Sequence, residues 1–206
     1  MAEDVTDQPA TAQRIVEAAR SLMIERGLLE VSIADISERA GTNVALVSYY
    51  FGNREGLMIA LIESDARHAS GHLDRLLAAD IAPTAKMERH IRGTIETYFE
   101  RPYLNRLLHK LLREASPQAS EKVGTTFVLP VTEARRAIIA DGVASGEFRA
   151  VDTDLVSFVI DGACAHLFSS EQSRRTVLGD GGLDHDLIDR YVATVIDLIV
   201  GGMLAR

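Results

Sequence analysis

An all-α fold is predicted by three features of the sequence. Apolar residues recur at i, i+3, i+4 and i+7 through most segments, and glycine or proline falls between those segments. No stretch shows the strict alternation of a half-buried strand. About nine helices fit this punctuation. With 206 residues, 47% of them hydrophobic and 25% charged, the chain has room for a small domain followed by a larger one.

Residues 1–9, acidic and polar up to Pro9, are expected to be a flexible arm. A first helix from Ala10 to Arg26 carries Ile15, Ala18, Ala19, Leu22 and Met23 on one face, and Gly27 stands where a C-terminal cap belongs. Ser32 is placed to cap a second helix containing Ile33, Ile36 and Ala40, which ends at Gly41. Thr42 and Asn43 offer capping oxygens to a third, with Val47 and Phe51 turned inward and Val44, Ala45, Ser48 and Tyr49 facing elsewhere. After the Gly52-Asn53 turn a long helix runs from Arg54 to about Ala79.

Pro83 opens the next helix, and the one after it runs from Tyr103 to Leu112 and ends at Ser116-Pro117. The pattern from Ser120 to Ser145 reads as one helix in which Pro130 predicts a kink or break. Asp152 is placed to cap a helix over Asp154 to Gln172, and a closing helix starts near His185. Both are apolar over much of their circumference, so each needs a second buried side. A second copy of the chain is the simplest cover, and Leu155, Val159, Ile160, Leu167, Leu187, Tyr191, Val195 and Leu198 are its expected contacts.

Helix, glycine turn, helix over residues 32–51 is the helix-turn-helix layout, in which the second helix enters the DNA major groove. Ile36, Ala40, Gly41, Tyr49, Tyr50, Phe51, Arg54 and Leu57 fall in register with the pattern of the TetR/AcrR family of bacterial transcriptional regulators, which this stretch resembles. The departures are Ser48 at a frequent tyrosine, Tyr50 at a frequent histidine, Arg54 at the usual lysine and Val44 at an often polar position.

The resemblance implies a three-helix DNA-binding domain over residues 10–55 and a ligand-binding and dimerisation domain over 56–206. It implies partners too: a palindromic double-stranded DNA operator, a small-molecule effector that releases it, and a second copy of the chain. Arg54 then stands at a phosphate, Ser32, Tyr49 and Asn53 offer hydroxyl or amide groups nearby, and Thr42, Asn43 and Ser48 complete the DNA-binding set with the two residues that follow. Val44 and Ala45 would open the recognition helix with apolar surface, which suits thymine methyl groups. An effector pocket would draw on Tyr98, Tyr103, Leu107, Phe127 and Phe158, although at helical spacing such residues also serve as core.

Other classes fare worse. No G-x-S-x-G elbow, P-loop, G-x-G-x-x-G or zinc-protease motif occurs, so an enzyme is not expected, nor a cofactor. His68 and His72, with Asp65 a turn earlier, lack a further histidine, and a solvated helix face is preferred to a metal site. Cys164, the one cysteine, sits among Ile160, Ala163 and Leu167 and reads as core rather than sensor. Seven cations between Lys86 and Arg113 oppose four glutamates, an excess better read as solvated surface than as an anion site. No apolar run spans a membrane and no secretory start is seen, so a cytoplasmic protein is expected.

The charge balance is the strongest objection to DNA binding. Net charge is −8, and within residues 10–60 five arginines face six acids. A helical dimerisation and ligand-binding module without DNA binding is therefore the alternative. DNA binding requires that these acids be turned away or neutralised locally.

Overall fold

The computed structural model describes residues 8–27 and 29–205. The expected arm lies outside the described residues up to Asp7, and positions 8 and 9 already belong to the first helix. The helices are α1 (Gln8–Arg26), α2 (Ile33–Arg39), α3 (Val44–Phe51), α4 (Arg54–Ala78), α5 (Pro83–Glu100) and α6 (Pro102–Glu114). They continue as α7 (Pro117–Val123), a π-helical turn (Gly124–Val128), α8 (Leu129–Ser145), α9 (Thr153–Ser169), α10 (Glu171–Leu178) and α11 (His185–Met203).

Eleven α-helices among the described residues exceed the nine expected, for two local reasons. Ser116 does more than end α6: its hydroxyl accepts from Ala119 N at 3.3 Å and Pro117 follows in the first turn, so α7 starts there. The break expected at Pro130 comes as the widened turn at Gly124–Val128, which absorbs the missing proline N–H and the ring's clash with the preceding turn. Helix α10 carries only Val177 and Leu178 as large apolar residues, both exposed, so no core-facing period announced it.

The chain divides into two compact units, one of Met1–His68 with Arg106–Phe127 and the other of Ala69–Asn105 with Val128–Arg206. The expected partition at 55/56 follows the order of the chain, whereas this one follows packing. Residues 106–127 are bound to the N-terminal segment by Arg106 Nη2 to Gly27 O (2.5 Å), Lys122 to Glu63 (2.7 Å) and Ser116 Oγ to Glu55 (2.9 Å).

In the first unit α1, α2 and α3 pack on one another, burying Ile15, Ala19, Leu22, Met23, Ile36 and Val47. Arg20 of α1 meets the buried Asp65 of α4 at 3.1 Å. That pair removes Asp65 from any metal set with His68, whose Nδ1 faces Ser64 O, and His72, whose Nδ1 faces Arg75. In the second unit α5, α8, α9 and α11 enclose Met87, Ile91, Ile95, Ile138, Ile160, Cys164, Val192 and Val195. Cys164 is core here, with burial pushing its thiol up to about 12.

Candidate nucleic-acid interface

The reading head is built by caps. Ser32 Oγ accepts from Asp35 N at 3.0 Å to start α2, and Gly41 turns the chain at φ +63°, a conformation that favours glycine. Asn43 Oδ1 accepts from Leu46 N at 2.9 Å to start α3, and Asn53 Oδ1 accepts from Gly56 N at 3.0 Å to start α4. With Val47 buried beneath it, α3 presents Val44, Ala45, Ser48 and Tyr49 outward, and Asn43 is exposed at its start. The sequence pattern turns Val44, Ala45, Ser48 and Tyr49 away from the core and gives Asn43 to the cap. Tyr49 stands edge-on to Tyr50 with ring centres 5.2 Å apart.

Two expected contacts are placed differently. Thr42 Oγ1 is buried without a hydrogen-bond partner, while its amide donates to Ser37 O at 2.9 Å, so this residue serves the turn. Arg54 directs Nη1 to Val31 O at 3.0 Å and Nη2 to Leu29 O at 2.5 Å. Its fork therefore clamps the loop ahead of α2 to the start of α4, a role that spacing alone does not reveal. Gly56 is a further residue that the sequence reading missed. A Cβ there would lie 2.0 Å from the Phe51 carbonyl oxygen, so only glycine lets α4 start this close behind α3.

Local pairing answers much of the charge objection. Arg26 meets Asp35 at 2.7 Å and Arg39 meets Glu25 at 2.8 Å. The hydrogen bond from Arg39 holds the Glu25 carboxyl below its ordinary value, and that from Arg26 does the same for Asp35. Helix α3 itself carries no charged side chain, so its exposed face is uncharged.

Comparison with known proteins agrees with this geometry. Residues 15–61 match the family described as bacterial regulatory proteins, tetR family, and residues 80–206 match the tetracyclin repressor-like C-terminal domain. The chain belongs to the tetR family. It is a ligand-responsive, DNA-binding transcriptional regulator. The regulator RutR of Escherichia coli K12 is 24% identical over 197 residues, covering 96% of this chain and 92% of RutR. The regulator BetI 1 of Chromohalobacter salexigens is 31% identical over 104 residues, half of each chain. Bacillus subtilis FadR, solved in complex with stearoyl-CoA, shares the fold with TM-score 0.73 at 18% identity, over 93% of this chain and 98% of that one. No helix among the described residues is long and apolar enough to cross a membrane.

The C-terminal expectations need correction in this tetR-family chain. Ile160 and Val195 are enclosed in the second unit's core and Leu167 is buried at its margin, so none of the three is available to a partner. Leu187 and Tyr191 are half-buried, the Tyr191 hydroxyl donating to Ala163 O. Leu155 (62%), Phe158 (76%), Val159 (58%) and Leu198 (70%) are the large apolar side chains left in solvent on α9 and α11. Phe158, expected to help line an effector pocket, is thus one of these exposed side chains. Of the remaining pocket candidates, Tyr98 and Tyr103 lie in the second unit and Leu107 and Phe127 in the first. The cations between Lys86 and Arg113 are likewise divided, Lys86 donating to Leu77 O, Arg92 facing Asp189 and Lys110 facing Glu30.

The sequence also gave no sign of a buried polar network in the second unit. Arg135, 1% exposed, donates from Nε to His90 Nε2 at 2.8 Å and from Nη1 to Ser157 O at 3.3 Å, and its Nη2 meets Asp161 at 2.7 Å. It ties α8 to α5 and α9. Burial, then the Arg135 charge, lowers His90 from 6.5 to about 3. Between those values the unfolded chain takes up a proton that the folded chain refuses, so stability falls as pH drops through that window. The slope from this group is at most about 1.4 kcal/mol per pH unit. A melting-temperature series from about pH 7.5 to 5 should lose this component in His90→Gln, whose amide oxygen still accepts from Arg135.

Proposed function

We propose that this chain acts as a homodimeric repressor of a palindromic operator and leaves the DNA when a small molecule binds in its second unit. The outward face of α3, with Val47 anchored beneath and no charge of its own, is the observation that carries the reading. Two such helices related by a two-fold axis call for half-sites one helical turn, or a multiple of it, apart. Ser32, Asn43, Ser48, Tyr49 and Asn53 are assigned to backbone contacts around the uncharged Val44 and Ala45, which address bases. Helices α4 and α6 each contribute residues to both units and are the elements through which effector binding reaches α3. The strength of that coupling is reciprocal: operator DNA weakens effector binding by the factor with which effector weakens DNA binding.

A mobility-shift assay with DNA upstream of the protein's own gene tests the reading; a folded protein that binds no such fragment at low salt would instead support the helical module without DNA binding. Two variants separate roles within the head. Val44→Ala should relax base preference at one position per half-site and leave the salt dependence unchanged. Arg54→Ala should weaken matched and mismatched operators by the same factor. Because two of its guanidinium nitrogens serve backbone carbonyls, the slope of log K against log salt should flatten by less than the roughly 2 expected for two lost phosphate contacts per dimer.

A further inference from the structure

Among the described residues, two buried side-chain polar atoms of the second unit have no partner, Arg174 Nε and Asn105 Oδ1, and of these only the second is an acceptor. Asn105, 2% exposed in the first turns of α6, hydrogen-bonds to the Tyr98 hydroxyl, and its Oδ1 is left unsatisfied. Buried side-chain carbonyls are otherwise paired, because leaving one dry forfeits its hydration with no return. Tyr98 stands against Phe168 with ring centres 6.0 Å apart and is close enough to Asp161 and Arg135 to feel their charges. The Asp161 carboxylate is 48% exposed, so the cluster reaches from the buried Asn105 amide to solvent.

We propose that Asn105, Tyr98 and the Arg135–Asp161 pair form the polar end of the effector site, and that the effector is an uncharged molecule presenting an N–H or O–H donor to Asn105 Oδ1. The proposal rests on the effector-release reading and names the chemistry of that site. Charge argues for neutrality. Arg135 and Asp161 cancel each other at 2.7 Å, so an added anion would meet the aspartate and an added cation the arginine. His90 accepts from Arg135 Nε and cannot gain a proton to balance an anion without losing that bond. What remains on offer is acceptor capacity at Asn105, with the Tyr98 and Phe168 rings as apolar wall.

The test uses full-length protein and four probes with a common ring: phenol, anisole, benzoate and benzylamine. Affinities are read by ligand-observed NMR and thermal shift for the wild type and for Asn105→Leu, which keeps the volume and removes the orphan acceptor. Phenol should bind the wild type at least about tenfold more tightly than the other three, and Asn105→Leu should abolish that preference. Equal or tighter binding of anisole, benzoate or benzylamine overturns the proposal, as does unchanged phenol affinity in Asn105→Leu or no phenol binding at millimolar concentration. If Asn105→Leu does not fold, the wild-type order of the four probes decides alone. Operator release is measured separately: phenol preference without release of DNA leaves the site standing and removes the effector-release reading.

Discussion

Phe158→Glu, alone or with Leu198→Glu, should convert the protein to monomers that no longer shift operator DNA. Helices α9 and α11 pack together inside the second unit, yet Leu155, Phe158, Val159 and Leu198 point away from that core into solvent. Scattered exposed apolar residues are ordinary, but we propose that these four large ones on two packed helices form the contact surface of the dimer. A stable two-fold interface buries about 1,200 Å² or more in total, and an aromatic at its centre contributes about 2 kcal/mol or more. Each substitution acts twice in a symmetric dimer and places a carboxylate within the apolar contact. Light scattering at micromolar concentration checks the mass, and circular dichroism checks that the helices persist. A Phe158→Glu protein that stays dimeric would remove α9 from the interface. Charge at Ile160 or Val195, which the two-sided apolar pattern also marks, should unfold the chain instead, since both are enclosed in the core.

Gly56→Ala should disable the reading head while leaving the second unit folded. The new methyl group would sit 2.0 Å from the Phe51 carbonyl oxygen, and the obstacle is backbone, which cannot rotate aside as a side chain would. Relief requires α4 to retreat from the end of α3, breaking the Asn53 cap on Gly56 N and the Gly52 N to Ser48 O bond that closes α3. Overpacking of this kind costs about 1–3 kcal/mol of local stability. Displacement of α3 from its seat on Val47 moves every base-facing side chain together, so operator affinity should fall by tenfold or more at matched and mismatched sites. Fluorescence anisotropy on labelled operator reads the loss, and amide exchange shows whether opening is confined to α3 and the start of α4. Wild-type affinity in Gly56→Ala would mean that the α3–α4 junction is looser than its geometry indicates.

The sequence by itself determined the helices whose ends carry chemical signals: Ser32 and Asn43 cap where their side chains require it, Gly41 takes the left-handed turn, and Val47 is the inward residue of α3. It determined the family as well, because the motif's aromatic and glycine positions are short-range and survive as a string. The inward and outward faces of α9 and α11 were left undecided, since a helix apolar on two sides has the same pattern whichever side meets its own core; only packing put Ile160 and Val195 inside and Phe158 outside. Tertiary structure alone also turned Arg54 toward the carbonyls of Leu29 and Val31, placed the Phe51 carbonyl over Gly56, and buried Arg135 between His90 and Asp161, residues 45 and 26 positions away in the chain. Periodicity reports which residues avoid water, whereas the partner of a buried charge or the neighbour of a glycine is set by contacts between segments remote in sequence, which no local pattern encodes.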